Sequence, residues 1–415
     1  MPAVGAPAGF RLVAAYLVGA LALWLAATIA LLLAAPDLAH GFVASEDVLL
    51  AVHLLGLGFL PLAVAGAAFH VLPTLLRASP DARLGWIGLA GLSVGALLAI
   101  GIARDVEGLA WACAALVGVG ALAVAAQVAV LVARAPGGRL LLASRLGVGG
   151  SALHALLAFA VGPLLLHYEW RPALGVPHER LIAIHLHLAV VGWLTLLIVA
   201  VGRTLGPMLA LAPSEPVRRR PYEEAALTAG LWLGLAGFWI GSRALVAAGG
   251  AVVVLALARF VAVVVRAVRR RRIEAMEGPI AHFALGLAFL AQAVAAAVFL
   301  LARDVAPRTL TAYVVFLLLG WAAGVTVGHA GKLLSLSAWT WWPPGPRPKQ
   351  ASFYARRVWL AEAVVFGLGV EALAGGAVLE STALARAGGA LLVVSALAAL
   401  AGAAATLEKA RPDET

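Results

Sequence analysis

The chain has 415 residues, of which 63% are hydrophobic and 12% are charged, whereas soluble domains carry about twice that share of charge. No soluble core could bury so much apolar surface, but a lipid bilayer can surround it. The formal net charge of +10 does not indicate nucleic-acid binding, because the basic residues lie in short loops between apolar runs. The single cysteine, Cys113, excludes a disulfide framework and a cysteine metal cluster.

Taken in chain order, the apolar runs predict about twelve transmembrane helices, since each crossing needs about 20 residues. We expect them at residues 10–36, 47–76, 84–103, 107–133, 140–166, 180–210, 222–241, 244–267, 278–302, 309–338, 356–379 and 383–407. The chain, residues 1–415, is therefore predicted to be a single polytopic all-α membrane domain whose main partner is the lipid bilayer. Its high content of Ala, Leu, Gly and Arg indicates a bacterial source and hence a bacterial inner (cytoplasmic) membrane.

The loops between the predicted helices alternate in charge. Basic clusters, for example residues 218–220 and 269–272, follow the even-numbered helices, whereas loops such as the one with Glu46 and Asp47 are acidic or mixed. Because basic loops remain in the cytoplasm, both the N-terminus and the C-terminus are predicted to be cytoplasmic.

An internal repeat places a glycine followed by an aromatic residue in every fourth helix. The three copies are Gly58-Phe59 after His53 in the second helix, Gly192-Trp193 after His187 in the sixth, and Gly320-Trp321 in the tenth. In the tenth helix Lys332 takes the position of His70 in the second helix and Thr204 in the sixth. The chain should therefore contain three four-helix pseudo-repeats, at roughly 10–133, 140–267 and 278–407, a design that usually places functional groups at the repeat interfaces.

Three histidines fall at matching depth in the predicted outer halves of helices that the repeat relates: His53 in the second helix, and His185 and His187 in the sixth. Ionisable groups inside a bilayer are costly, so each needs a reason. Residues two apart on a helix point about 200° apart, so His185 and His187 are not expected to bind one ion together. A single b-type haem between His53 and His187 fits this geometry, with His185 as the alternative second ligand, because haem iron accepts axial imidazoles from facing helices.

A mononuclear metal site is the other cofactor reading of these histidines. It would need ligands from a further helix, and the fifth helix offers two more histidines. The candidate metal ligands are then His53, His154, His167, His185 and His187. Imidazole suits copper, although the shortage of Met and Cys argues against a soft Cu(I) route. All five side chains could instead be neutral packing residues that are hydrogen-bonded across helices.

The loop before the sixth helix contributes one more candidate, Arg171. An arginine at this position could hold haem propionates by bidentate hydrogen bonds. The neighbouring Trp170 leaves a second reading open, in which the loop is an aromatic anchor at the membrane surface.

A second set of ionisable residues lies towards the predicted inner side. These residues are His70, His282, His329 and Lys332. They could form a path for protons, but anchoring at the membrane interface is the reading we favour. Glu362 and Glu371 in the eleventh helix are predicted to be buried carboxylates, for which a proton relay and pairing with an arginine both stay open.

Together these features resemble the catalytic-subunit family of haem-copper oxidases, which includes cbb-type oxidases and nitric oxide reductases. The resemblance covers nearly the whole chain. It is carried by GLGFLPLAVAGAAFHVLP after His53, by His185-Leu-His187 with GWLTLLIVAVGRTLGPM, and by GWAAGVTVGHAGKLLSLSAWTWWPP. The stretch His329-Ala-Gly-Lys332 is also similar to NnrS-type haem and copper membrane proteins linked to nitric oxide metabolism.

The resemblance implies a fold like that of haem-copper oxidase subunit I and assigns His53 to the family's low-spin haem ligand of the second helix. The family's HxH pair of the tenth helix has no counterpart, since Val315 stands there in an apolar stretch. The family's copper ligands are incomplete, because the seventh helix, EEAALTAGLWLGLAGFWIGS, contains no histidine. The sixth helix also lacks the family's His-to-Tyr crosslink motif. A complete dioxygen-reducing centre is therefore not expected.

We accordingly expect a membrane protein of oxidase-like fold that binds haem and serves electron transfer, or the sensing or handling of a diatomic gas such as nitric oxide. A small redox protein or other membrane subunits are the expected partners, and nucleic acid is not. The alternative is a cofactor-free protein of the same fold, either a structural subunit or a transporter of metal ions or protons.

Overall fold

A computed structural model of the protein describes residues 9–76, 78–134, 142–166, 175–209, 221–270, 276–303, 306–342, 346 and 348–410. Across these residues the regular secondary structure is helical throughout. The long helices are α1 (Phe10–Leu33), α2 (Glu46–Pro73), α3 (Ala82–Ala103), α4 (Glu107–Arg134), α5 (Leu142–Leu166), α6 (His178–Arg203), α7 (Tyr222–Ile240), α8 (Arg243–Arg269), α9 (Gly278–Ala302), α10 (Pro307–Thr340), α11 (Arg356–Val378) and α12 (Thr382–Lys409). Eleven of these described helices are long and apolar enough to cross a membrane, and α7 is the exception.

Helix α7 misses that criterion because its first turn carries two glutamates. It has 19 residues and is therefore about 28 Å long, close to the thickness of a bilayer core. Glu223 and Glu224 are both 1% exposed. Arg203 of α6 lies 2.8 Å from one oxygen of Glu223, and Arg259 of α8 lies 2.9 Å from the other. The carboxylate is thus neutralised by pairing inside the protein, which is what a charge at membrane depth requires.

The contacts of the chain group into two compact units. One consists of Met1–Pro136 with Met276–Thr415, and the other of Gly137–Ala275. The first unit therefore holds α1 to α4 with α9 to α12, and the second holds α5 to α8. The second unit has nearly the limits of the predicted middle pseudo-repeat, 140–267, while the description of the whole chain as one domain stays a prediction.

In the first unit, α10 is the most enclosed helix. Every residue from Val315 to Val325 is buried. Helices α11 and α12 cross so closely that a Cβ on Gly388 would stand 2.4 Å from the backbone nitrogen of Leu373. Small residues permit such close approach of membrane helices, where no hydrophobic force drives association. The glycines of this chain are therefore largely packing residues, as their position inside helices suggests.

In the second unit, α7 and α8 also approach through glycines. A Cβ on Gly249 would stand 2.5 Å from the carbonyl oxygen of Gly230. Apolar side chains of α5, α6 and α7, together with Val176 before α6, form the core of this unit. Its members are Ala158, Val176, Leu181, Ile184, Leu188, Val191, Leu231 and Leu235. This core fixes the face that α6 turns towards α5 and α7.

Candidate functional site

Among the described residues, each predicted pseudo-repeat has a π-helical segment at its glycine–aromatic motif. The segments are Leu54–Phe59 in α2, Leu188–Thr195 in α6 and Val315–Ala323 in α10, after which regular α-helix resumes. The first two begin directly after His53 and His187, and the third begins at Val315. A π-helical turn accommodates an extra residue in an α-helix and is frequent at functional sites. The structure thus repeats the same backbone feature at the three positions that the sequence alignment relates.

His53 and His187 form the same hydrogen bond with their own helices. Nδ1 of His53 lies 2.6 Å from the carbonyl oxygen of Leu49, and Nδ1 of His187 lies 2.7 Å from that of Ala183. A carbonyl oxygen can only accept, so each Nδ1 must carry the hydrogen, and Nε2 of the neutral ring keeps its lone pair. Metal-ligating histidines are commonly held in this way through the other ring nitrogen. Both imidazoles therefore have the tautomer that ligation through Nε2 requires.

The surface beside His53 is open on one side of α2. A Cβ built on Gly56, about one turn after His53, would have no heavy atom within 4 Å. A Cβ on Gly58 would instead stand 2.7 Å from Leu23 and 3.0 Å from Ala96. The side of α2 that carries Gly58 is thus packed against neighbouring helices, whereas the position of a Cβ on Gly56 is open, and the imidazole of His53 is half-buried.

His185 and His187 face different helices. The Cε1 atom of His185 lies 3.7 Å from the position of a Cβ on Gly162 of α5. The ring of His187 lies 4.9 Å from the ring of Phe238 of α7, centroid to centroid. This divergence agrees with the angle of about 200° between residues two apart on a helix. Of the two, His187 has the geometry that His53 also has.

The structure does not bring His154 to the level of His185. His154 is 1% exposed, and its ring lies against Gly192 and 5.9 Å from Trp232. Gly162, which faces His185, is about 12 Å further along α5. The predicted ligands His167 and Arg171 lie outside the described residues. Within the part of the chain that the structure describes, no three His, Cys, Asp or Glu side chains are grouped as a metal site. The copper alternative therefore rests on the sequence alone.

The residues present fit an axial ligand in two of the three repeats. His53 and His187 supply an imidazole Nε2, while Val315 of the third repeat is 5% exposed and is surrounded by apolar residues. The third repeat thus offers an apolar side chain where the family resemblance places its HxH pair.

Interfacial anchoring, the reading we favoured for the inner residues, is wrong for His282. This residue is 0% exposed, and its Nε2 lies 2.6 Å from Oε2 of Glu362, which is also 0% exposed. The two are 80 positions apart, so no local pattern in the sequence could reveal the pair. The prediction of a buried carboxylate holds for Glu362 but is wrong for Glu371, which is exposed and accepts a hydrogen bond from Gln292 at 2.7 Å.

The other inner residues also have partners. The side chain of Lys332 is 10% exposed, and its Nζ lies 2.8 Å from Oε2 of Glu277. His70 is 6% exposed, and its Nδ1 lies 2.9 Å from Oγ of Ser337. These polar groups all belong to the first unit. They lie towards the end of the helices where α9 and α11 have their first residues.

Comparison with known proteins identifies the fold. No family model and no curated protein matches the chain. Sixteen chains of solved structures match it, among them one described as "Cryo-EM structure of a heme-copper terminal oxidase dimer provides insights into its catalytic mechanism". The match has a TM-score of 0.61 at 12% sequence identity and covers 97% of this chain and 85% of the oxidase chain. The chain therefore has the all-helical membrane fold of haem-copper oxidase subunit I, and at this identity the likeness concerns the fold alone.

Proposed function

We propose that this chain is a haem-binding protein of the bacterial inner membrane that transfers electrons or handles a diatomic gas such as nitric oxide. The observation that carries the proposal is the shared geometry of His53 and His187. In both, Nδ1 is bound to a backbone carbonyl four positions earlier, and the residue stands directly before a π-helical segment. A b-type haem bound there would supply reversible one-electron chemistry or a site for a small gas.

Each residue has a defined task in this proposal. His53 and His187 are the axial-ligand candidates, and the carbonyl oxygens of Leu49 and Ala183 hold the rings in the tautomer that ligation needs. His185 remains the alternative ligand of α6, and Arg171 the candidate for the propionates. That His53 and a histidine of α6 share one haem stays a prediction from the sequence.

Reduction of dioxygen by a complete haem-copper centre is not part of the proposal. The seventh helix, which is fully described, contains no histidine, and Val315 stands where the resemblance places a ligand pair. The similarity of His329-Ala-Gly-Lys332 to NnrS-type proteins supports gas handling rather than oxygen reduction. The expected partners are a small redox protein or other membrane subunits.

The test is a set of absorption spectra from protein purified in mild detergent after expression with added haem. We expect a b-type Soret band and, after dithionite reduction, an α-band. His53→Ala and His187→Ala should each remove most of this absorbance, because each deletes a ligand. His40→Ala is the control, since His40 is exposed beside Phe42 between α1 and α2.

Size-exclusion profiles show whether the variants remain folded. Unchanged bands in both ligand variants would exclude these residues as ligands. If only one variant loses the bands, the single-haem pairing of His53 with His187 is wrong, and His185→Ala then identifies the second ligand.

A further inference from the structure

A buried ionisable pair in the first unit is not used by the proposed haem chemistry. His282 of α9 and Glu362 of α11 are both 0% exposed and are 2.6 Å apart, from Nε2 to Oε2. Ser395 of α12 donates a hydrogen bond of 2.7 Å to the other oxygen, Oε1, of Glu362. Three helices thus contribute one polar group each to a cluster that lies inside the membrane-spanning region.

The second ring nitrogen of His282 is buried and forms no hydrogen bond with any described residue. His282 is packed on two sides. A Cβ on Gly328 would stand 2.4 Å from the Cβ of His282, and the rings of Phe366 and His282 are 5.1 Å apart, centroid to centroid. An unsatisfied buried nitrogen costs about 1–3 kcal/mol. A buried ion pair is also no better for stability than packed apolar side chains of the same size. Stability alone therefore does not account for this pair.

The charge of the pair depends on one proton. When the proton is present, it lies on Glu362 or on His282, and in either case the pair is neutral overall. When it leaves, a single negative charge remains on two fully buried side chains, which is unfavourable. The pair therefore shares one proton between two side chains that packing holds together, which is the arrangement of a proton-binding site.

Further ionisable groups connect this pair with one end of the helices. His282 lies about 6 Å beyond the start of α9 at Gly278. His329 of α10 interacts electrostatically with His282, and its Nδ1 is bound to the carbonyl oxygen of Val325 at 2.7 Å, so its Nε2 can accept a proton. Lys332, one turn along α10, pairs with Glu277, whose side chain is 28% exposed. Glu277 is thus the more exposed member of this ion pair.

Tyr354 completes the polar surroundings between α9 and α11. Its hydroxyl accepts a hydrogen bond of 3.1 Å from the backbone nitrogen of Gly278, and its ring lies 4.9 Å from Nζ of Lys332. Glu277, Glu362 and Arg356 all act on it electrostatically. Burial raises the pKa of Tyr354 above its ordinary value, so the phenol stays neutral and serves as a hydrogen-bonding group.

Aromatic rings close the cluster on its other side. Phe366 packs against His282 and also lies 6.1 Å from Trp24 and 6.4 Å from Phe289, between ring centroids. Trp24 is 0% exposed. Among the described residues, these rings form an apolar wall beside His282, on a side of the cluster away from Glu277.

From this arrangement we propose that His282 and Glu362 form a proton-binding site that exchanges with one face of the membrane through His329, Lys332 and Glu277. The site lies in the first unit and does not depend on the proposed haem. It gives the chain a store for one proton close to the face at which α9 and α11 begin.

Infrared difference spectroscopy of the purified protein over a pH titration tests this proposal. We expect the wild type to show a titrating carboxyl band that exchanges with deuterium and is absent from Glu362→Gln. Glu371→Gln is the matched control on the same helix, because Glu371 is exposed, and it should keep the band. His282→Gln should shift the titration midpoint by at least about one pH unit, since it removes the partner that shares the proton.

The route is tested by a pH jump. In Lys332→Met and in Glu277→Gln the carboxyl band should equilibrate at least tenfold more slowly than in the wild type. Equal rates would overturn the route, and equal titrations of wild type and Glu362→Gln would overturn the site. A wild type without any titrating carboxyl band would also overturn it, whether or not the variants fold. These bands do not report haem, so the outcome is independent of the haem spectra.

Discussion

The histidines of this chain differ in which ring nitrogen is engaged. His53 and His187 use Nδ1 to bond a carbonyl oxygen of their own helix, which leaves Nε2 with its lone pair. His282 uses Nε2 to meet Glu362 and leaves Nδ1 buried. The first arrangement orients a ligand, and the second shares a proton with a carboxylate. One residue type thus supports two different chemistries, according to its partner.

The position of each partner in the chain also determines whether the role of a histidine could be predicted from the sequence. His53 and His187 stand out in the sequence because the repeat aligns them. The partner of His282 is Glu362 on α11, 80 positions away, and Glu362 in turn accepts a hydrogen bond from Ser395 of α12, so only packing brings the three together. Glu371 resembles Glu362 in sequence, but it faces outward on α11, and a pattern of apolar residues on all sides of the helix does not distinguish the two faces.

The pair of Arg203 with Glu223 gives a stability prediction. Glu223 is 1% exposed and Arg203 8%, so removing the carboxylate alone takes away a partner that offsets the buried charge of Arg203. Glu223→Leu should therefore lower the free energy of unfolding by about 3–5 kcal/mol. Thermal unfolding in detergent, followed by tryptophan fluorescence, measures the change.

The double variant Arg203→Leu with Glu223→Leu is the control, because it removes both charges. It should recover most of the loss. A single variant that unfolds at the wild-type temperature would mean that Arg203 does not depend on Glu223.

At the scale of the helices, the three π-helical segments were not predicted, although the sequence motif that coincides with them was recognised. The glycine–aromatic motif located them in α2, α6 and α10, but an inserted residue leaves no signature in composition or apolar pattern. Helix ends were predictable within a few residues, because charged loops limit the apolar runs. Helix α7 fits this rule once the pairing of Glu223 is known.

Glycine packing between α11 and α12 gives a prediction at this scale. A Cβ on Gly388 would stand 2.4 Å from the backbone of Leu373, so Gly388→Ala must push the helices apart and should cost about 1–3 kcal/mol. Gly118→Ala in α4 is the matched control, since a Cβ there meets nothing within 4 Å, and it should change stability by about 0.5 kcal/mol or less. Thermal unfolding of both variants in the same detergent measures the difference. Equal melting temperatures would contradict the close crossing.

For the molecule as a whole, the sequence predicted the fold class, and the likeness to a haem-copper terminal oxidase over 97% of the chain confirms it. Composition and hydropathy suffice for this, because only helices and closed barrels satisfy their backbone hydrogen bonds in lipid. The grouping of contacts into two units was not predictable, since apolar patterns do not tell which membrane helices pack together.

The charge of the loops predicts the orientation of the whole chain. Basic loops remain in the cytoplasm, so both termini should lie there. Green fluorescent protein fused after Thr415 should fluoresce, and alkaline phosphatase at the same point should be inactive. The reverse result is expected for fusions in the loop at His40. Active phosphatase after Thr415 would contradict the predicted orientation.

The central claim is that this oxidase-like fold binds haem, and the haem content of the wild-type protein tests it most directly. The protein would be expressed with added haem, purified in mild detergent and assayed as the pyridine haemochrome. We predict one b-type haem per chain. A folded, monodisperse protein with no haem would contradict the claim.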